Sequence, residues 1–414
     1  MSKKCSRTIC FVHYGIGWKD GVNMAFKTLA QEIKKKEPSL NFCFLGGVIK
    51  ERFLKPALYK VIPELLPKRT KLTKDYIQKK SKIIAKKLAK NTEAMEVVVI
   101  ENPFLGSYNL PVMLGYSLYA SCQKPKGTKV FFRIHDFYKD FPRYSKELQK
   151  IFSPQEIKEI TNGKGVDGFL IINRRLREKL IKEGVSKEKI FYLPNGINEK
   201  IFNKPLTKKE ERLICQSLKI PPQKTKKSKI LLYPVRIIPR KNIEEAILLT
   251  ALIRKITKEN YILIISGKVD KNDPLSKTYY TRLKKLKRLA SFPIIFTKNR
   301  IKKFNIGDLY QISEAILMTS RKEGFGYPFL ECWFARKIVI GRRIEEVIRD
   351  FEKSGLRFWW LYRQFSIPAL IKQIELLQNR KKQKQIIVAN LKAARKVYKI
   401  SKVSKNFLKL VGLK

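Results

Sequence analysis

The segment Glu323-Gly-Phe-Gly-Tyr-Pro-Phe-Leu-Glu331 sets two carboxylates seven residues apart across a loop-to-helix junction. Gly324 and Gly326 allow unusual backbone angles and close approach of a ligand. Pro328 suits the first position of a following helix. The amides that open such a helix lack carbonyl partners and point outward, where they suit a phosphate or sugar oxygen. Glu323 then lies on the loop and Glu331 in or just after the first turn, so both can face one ligand. Acceptors for hydroxyls beside donors for an anion are chemistry suited to a nucleotide sugar.

Two further groups of residues could share that work. The apolar run Ile230–Val235 leads into Arg236-Ile-Ile-Pro-Arg-Lys241, and Asn242 opens a helix with Glu245 at capping-box spacing. Arg236 and Lys241 are thereby expected at the carboxyl end of a strand and the amino end of a helix. There a guanidinium fork and a compact ammonium can grip a diphosphate. In the first half, Arg133-Ile-His135-Asp136-Phe137 ends an expected strand, and His135 is one of only two histidines. The stretch His13-Tyr-Gly15-Ile-Gly17-Trp-Lys-Asp20-Gly21 is expected in the first strand-to-helix loop. Gly15, Gly17, Asp20 and Gly21 would there meet an acceptor or a phosphate.

Positioning these groups requires alternating strands and helices. Expected strands are Thr8–Val12, Asn41–Leu45, Glu96–Ile100, Lys129–Ile134, Gly168–Ile172 and Lys189–Leu193. A second series follows at Ile230–Val235, Tyr261–Ile265, Pro293–Phe296, Ala315–Met318 and Ile338–Ile340. Helical patterns such as Val22–Lys36 and Arg175–Glu183 lie between them. The alternation predicts an α/β protein with doubly wound parallel sheets. Two series, broken by the Lys/Pro-rich segment Asn203–Lys229, predict two facing Rossmann-like domains with a cleft between them. The expected domains are 1–203 and 204–385, with 386–414 a basic helix that packs back on the first.

A chain of 414 residues with 44% hydrophobic and 11% aromatic content supports two full cores. The formal charge of +55 favours anionic partners, although lysine is scattered through the polar segments as on solvated helix faces. The six cysteines form no Cys-x-x-Cys pair, so reduced thiols and no metal site are expected. Near the start, Ile9–Val12 is too short an apolar run for a signal peptide, and a cytoplasmic location is expected. Asn102–Gln123 is uncharged, but its prolines and glycines make it a loop and buried helix and not a membrane span. Lys68–Lys90 mixes lysines with Leu72, Ile77, Ile83, Ile84 and Leu88. It could lie on the inner membrane face against anionic lipid, or turn its apolar stripe into its own domain.

Taken together, Arg236-x-x-x-x-Lys241, Asp308-Leu-Tyr, Ser320-x-x-Glu323-Gly-Phe-Gly and Glu331 resemble the retaining glycosyltransferases of family four, which have the GT-B fold. Pro194-Asn-Gly-Ile-Asn198 resembles the turn that closes that family's first domain. The resemblance implies a nucleotide-sugar donor, a UDP- or GDP-hexose, and a sugar or lipid-linked acceptor, without a cofactor or a metal. It implies that Glu331 grips the ribose hydroxyls, that Glu323 lies near the donor sugar, and that the backbone amides from Phe325 to Tyr327 meet that sugar's hydroxyls and phosphate. It further implies that Arg236 and Lys241 neutralise the departing diphosphate and that His135 positions the donor. The run Ile16-Gly-x-x-Asp20-Gly-Val, Glu101-Asn-Pro and His135-Asp-Phe resemble a branch that contains mannosylglucosylglycerate synthases. Where that family continues after Ile338–Gly341 through a Gly-rich loop, this chain has Arg342-Arg343. The competing readings are a basic nucleic-acid-binding protein on a Rossmann-like scaffold, which no recognition motif supports, and an inactive sugar-nucleotide-binding relative.

Overall fold

The computed structural model describes residues 7–18, 20–66, 72–104, 109–220, 228–269, 273–297 and 304–413. The chain divides into two compact units: Met1–Gly196 with Ile400–Lys414, and Ile197–Lys399.

In the first unit the strands are β1 (Thr8–Ile16), β2 (Asn41–Ile49), β3 (Leu58–Val61), β4 (Val97–Glu101), β5 (Lys129–Ile134), β6 (Gly168–Ile171) and β7 (Ile190–Tyr192). They form one parallel sheet in the order β3-β2-β1-β4-β5-β6-β7. All five residues of β4 are buried, the continuous apolar pattern of a strand covered on both faces. Phe11 on β1 stacks on Phe44 of β2 at 5.8 Å and on Phe407 at 6.1 Å. The order reverses at β1, whose neighbours are β2 and β4, so connections from β1 and β4 leave toward opposite faces and open a crevice at the strands' carboxyl ends.

The second unit repeats the plan with β8 (Lys229–Tyr233), β9 (Tyr261–Ile265), β10 (Ile294–Phe296), β11 (Ala315–Met318), β12 (Ile338–Arg342) and β13 (Leu361–Tyr362). Their order is β10-β9-β8-β11-β12-β13, again parallel, with the reversal at β8. Both units are thus Rossmann-like α/β sheets.

The division falls after Gly196 and after Lys399, against expected boundaries at 203 and 385. Packing accounts for the shift. Asn198 caps the short helix Glu199–Phe202, whose Phe202 ring meets Tyr310 edge-on at 5.2 Å within the second unit. The expected basic helix is two helices, Arg380–Tyr398 and Ile400–Leu410, broken at the extended Lys399. The former buries Ile386, Leu391, Ala394 and Tyr398 in the second unit. The latter buries Ile400, Val403 and Phe407 in the first, against helix Gly21–Lys36.

Helix Lys74–Thr92 spends its apolar stripe on its own unit, where Ile77, Ile84 and Leu88 are buried against helix Leu110–Leu118 and Ile83 is half-buried. Of the two alternatives for this segment, the one in which the apolar stripe turns into its own domain is the one that forms; residues 68–71 of the segment lie outside the described residues. Within Asn102–Gln123, helix Leu110–Leu118 continues into a π-turn at Tyr119–Gln123, and 105–108 lie outside the described residues. Among the described residues no helix is long and apolar enough to cross a membrane.

Candidate active site

In the second unit the loops after β8 and β11 leave neighbouring strands at the sheet reversal and are stitched together. Arg321 donates its amide to Arg240 O at 2.9 Å, and Arg240 Nη1 donates to Lys322 O at 2.8 Å. Thr319 Oγ1 donates to Asn242 O at 2.9 Å. The buried Tyr233 hydroxyl donates to Lys241 O and meets Ser320 Oγ at 3.0 Å. The stitching holds the backbone on either side of Lys241 and Glu323.

These two side chains form a buried ion pair, Lys241 Nζ to Glu323 Oε1, with side-chain exposures of 9% and 8%. Burial lowers the Lys241 ammonium to about 8 despite its carboxylate partner, with Arg240 and Arg236 adding to the effect. Burial alone would raise Glu323, but Lys241 and Arg240 outweigh it and hold the carboxyl below its usual range. Arg240, not Arg236, is the second cation on Glu323, with Nη1 at 3.4 Å from Oε2. Arg236 is exposed on the same loop and joins no ion pair with a described residue. An ammonium has three donors, so the bond to Glu323 leaves Lys241 two for a ligand.

Glu331 lies in the first turn of helix Pro328–Phe334, which starts with proline as expected. Burial raises it to about 7, the opposite direction from Glu323, because its partner is the neutral Tyr310 hydroxyl at 2.8 Å and not a cation. Between the carboxylates, Gly326 takes φ 81, and an added Cβ would lie 2.8 Å from Val347 Cγ1 and 2.9 Å from Phe329 Cδ2. Phe325 is buried edge-on to Phe351 at 5.7 Å, while Gly324 and Tyr327 are half-buried. The amides of Phe325 and Gly326 donate to no described residue.

The expected capping box at Asn242 does not form. Asn242 takes a left-handed φ of 50, so its side chain is not aimed at the helix amides. It donates instead from Nδ2 to Glu245 Oε2 at 2.6 Å. Glu245 also accepts from Arg342 Nε at 3.2 Å and Nη2 at 2.5 Å, and from Tyr362 Oη at 2.7 Å. Arg342, which ends β12, therefore braces the residue after Lys241. Arg343 pairs with Glu352 through Nη1 and Nη2, each at 2.7 Å.

In the first unit the strand ends gather a second buried polar cluster. Glu101 ends β4, and its Oε2 is 2.6 Å from His135 Nε2, just past β5. Arg133 Nη1 is 3.5 Å from Glu101 Oε1, and its Nη2 donates to Asn195 Oδ1 at 2.9 Å. Burial would raise Glu101, but Arg133 first and then His135 outweigh it and keep the carboxyl low. Asp136 receives Asn102 Nδ2 at 3.2 Å, and Asn102 has φ 56.

His13 and Gly15, expected on a loop, lie on β1, which runs to Ile16. Its pairing with β2 continues through Ile16↔Ile49, carrying the strand past the apolar run Ile9–Val12. Asp20 is the N-cap of helix Gly21–Lys36, accepting from Asn23 N at 2.8 Å. Asn23 Oδ1 in turn accepts from Gly17 N at 2.9 Å. Gly17 has φ 79, and a Cβ there would lie 2.4 Å from Glu51 N; at Gly15 one would lie 2.6 Å from the Trp18 indole. These residues shape the turn after β1, and Gly21 opens the helix.

Sequence reasoning did not single out Arg240, Tyr310, Glu245, Glu101 or Arg133 as site residues. Glu101 carried a signal, a carboxylate directly after the apolar run Val97–Ile100. The partnership of Glu245 with Arg342 joins residues 97 apart and had none. Cys10, Cys43, Cys122, Cys215 and Cys332 are free thiols, and no three His, Cys, Asp or Glu side chains among the described residues gather as metal ligands would.

Comparison with known proteins places this arrangement. Residues 216–393 match the family model of glycosyl transferases group 1. A mannosylglucosyl-3-phosphoglycerate synthase of Petrotoga mobilis is 30% identical over 190 residues, 44% of this chain and 35% of that protein. A mannosylglucosylglycerate synthase of the same organism is 26% identical over 283 residues, 59% of each chain. The matched segments thus span about a third and three fifths of those relatives' lengths. Among solved structures, Anabaena HepE in complex with UDP and glucose matches with a TM-score of 0.68 at 12% identity, covering 98% of this chain and 99% of that one. The Lys241–Glu323 pair and Glu331 lie inside the matched region: residues 216–393 carry a glycosyl transferases group 1 domain, and the two Rossmann-like units have the fold of the GT-B glycosyltransferases.

Proposed function

We propose that the chain is a retaining glycosyltransferase that moves a hexose from a nucleotide-sugar donor to an acceptor hydroxyl. The observation that carries this reading is the site at the β8–β11 reversal. The loops after these two strands carry a buried ammonium with two spare donors, an exposed guanidinium, two carboxylates and two backbone amides that donate to no described residue. The family match of this region supports it, as do the synthase relatives and the UDP and glucose bound by HepE.

In this reading Glu331 accepts from the ribose hydroxyls, and Arg236 and Lys241 hold the diphosphate. Glu323 orients Lys241 and meets the donor sugar, while the amides of Phe325 and Gly326 donate to phosphate or sugar oxygens. The C1–O bond to the diphosphate breaks and a C1–O bond to the acceptor forms on the same face. The acceptor proton passes to the departing phosphate oxygen. The fixed cations stabilise charge as it develops on that oxygen, where such stabilisation lowers a barrier most. The acceptor, a sugar, glycolipid or small polar alcohol, is assigned to the first unit, where His135 contacts a sugar hydroxyl. Incubation with UDP-, GDP- and ADP-hexoses, scored by donor hydrolysis and thermal stabilisation, tests the reading. At least one donor should stabilise the chain and be consumed.

A further inference from the structure

The Glu101–His135 contact has a geometry that a simple counterion for Arg133 would not need. Glu101 Oε1 faces Arg133, while Oε2 is given to His135 at 2.6 Å, and the Glu101 side chain is fully buried. An ionised carboxylate has only lone pairs, so the hydrogen in this bond belongs to Nε2. The second nitrogen, Nδ1, bonds to no described residue. The chain's other histidine has the reverse arrangement. His13 Nδ1 is 2.9 Å from the Gly15 carbonyl, which can only accept, and 3.4 Å from the Gly15 amide; the shorter contact places the hydrogen on Nδ1. Its Nε2 is buried without a partner, and burial lowers its pKa, which keeps the ring neutral. Two rings, one on β1 and one just past β5 with β4 between those strands, are thus set in opposite tautomers by their hydrogen-bond partners.

We propose that Glu101 is a positioning residue that fixes His135 as the Nε2–H tautomer, so that Nδ1 is the nitrogen presented to a sugar hydroxyl. The identity of the hydroxyl rests on the glycosyl-transfer reading; the tautomer does not. A ring locked at one nitrogen cannot rotate its other nitrogen away or exchange donor for acceptor, and the ligand's hydroxyl must then donate.

The sequence makes the test tractable, because the chain has only two histidines. The full chain, labelled with 15N-histidine, is examined by imidazole 15N–1H correlation at about pH 8, above the ordinary imidazole range. A His135→Gln sample assigns the spectrum. The expected result is one Nδ1–H ring, His13, and one Nε2–H ring, His135, with His135 becoming a mixture in Glu101→Ala. An Nδ1–H or mixed His135 in the wild-type chain overturns the proposal, whether or not Glu101→Ala folds.

His135→Gln provides the functional arm. It keeps an amide donor near the Nε2 position for Glu101 and has no group at Nδ1. Its kcat should fall about tenfold or more, as far as that of His135→Ala, while nucleotide affinity stays within about twofold. A Gln variant that keeps half or more of the wild-type rate contradicts the role of Nδ1. Absence of transfer by the wild-type chain would strike the functional reading alone, and the tautomer spectrum would still decide this one.

Discussion

Lys241 and Glu323, 82 residues apart in the chain, meet as a buried ion pair because their loops leave adjacent parallel strands and are tied by backbone bonds. Each makes the other tolerable: a lone charge there would be expensive to bury, and the pair keeps an ammonium poised with spare donors. Arg236, on the same loop, has no such partner and stays exposed. The two cations assigned to one diphosphate therefore have different structural costs, and the difference can be measured.

Lys241→Ala leaves Glu323 buried against the partly exposed Arg240 alone, and loss of one partner of a buried pair costs about 3–5 kcal/mol. Arg236→Ala removes no ion pair and should change stability by less than about 0.5 kcal/mol. Both should lower turnover sharply. Denaturant unfolding beside steady-state rates separates the effects: a stable, slow Arg236→Ala is expected, and a fully active one removes Arg236 from the phosphate site.

Glu331 gives a pH signature. Its folded pKa, raised by burial to about 7, exceeds its ordinary value of 4.5, so the folded chain binds the proton more tightly. Its stabilising contribution is complete below about pH 4.5 and is lost as pH rises to about 7, amounting to about 3 kcal/mol. Glu331→Gln, which cannot ionise, should gain stability over the wild type through that window and no further above it. Unfolding free energies of both chains from pH 4 to 8 provide the check; a constant difference across the range contradicts the raised pKa.

Glu245→Ala deprives Arg342, Tyr362 and Asn242 of their common acceptor and should cost about 3 kcal/mol. Because Asn242 follows Lys241, the donor KM should rise as well. Thermal unfolding with and without UDP-hexose measures both effects, and a variant with wild-type stability would show that the brace carries no strain or load.

Gly326→Ala must accept a left-handed backbone and contacts of 2.8 and 2.9 Å with Val347 and Phe329. A loss of about 1–3 kcal/mol is expected, with weaker nucleotide binding as the loop shifts. Calorimetric titration with nucleotide tests the second part.

Much of this architecture was legible in the residues. Apolar runs such as Val97–Ile100 and Ile230–Leu232 marked strands because parallel strands buried on both faces need them. Pro328 marked the helix that carries Glu331. The strand Leu58–Val61 escaped notice because it is a sheet edge with exposed Leu58 and Val61, and Leu361–Tyr362 because two residues make no pattern. Asn242 and Glu245 show why spacing alone misleads: an i, i+3 pair of the right types fits a capping box equally well, and only the φ of 50 excludes it. His13 looked like a loop residue because glycines follow it, yet β1 continues through Gly15 to Ile16 beside β2. Long-range partners, Arg240 with Glu323 and Arg342 with Glu245, depend on which strands are neighbours, information that no local window contains.

The most direct test of the central claim is calorimetric titration of UDP- and GDP-hexoses into the wild-type chain and into Glu331→Ala. The account predicts saturable binding of at least one donor by the wild type and a loss of about tenfold or more in affinity when Glu331 is removed. No binding of any nucleotide sugar by the folded wild-type chain, or equal binding by Glu331→Ala, would contradict it.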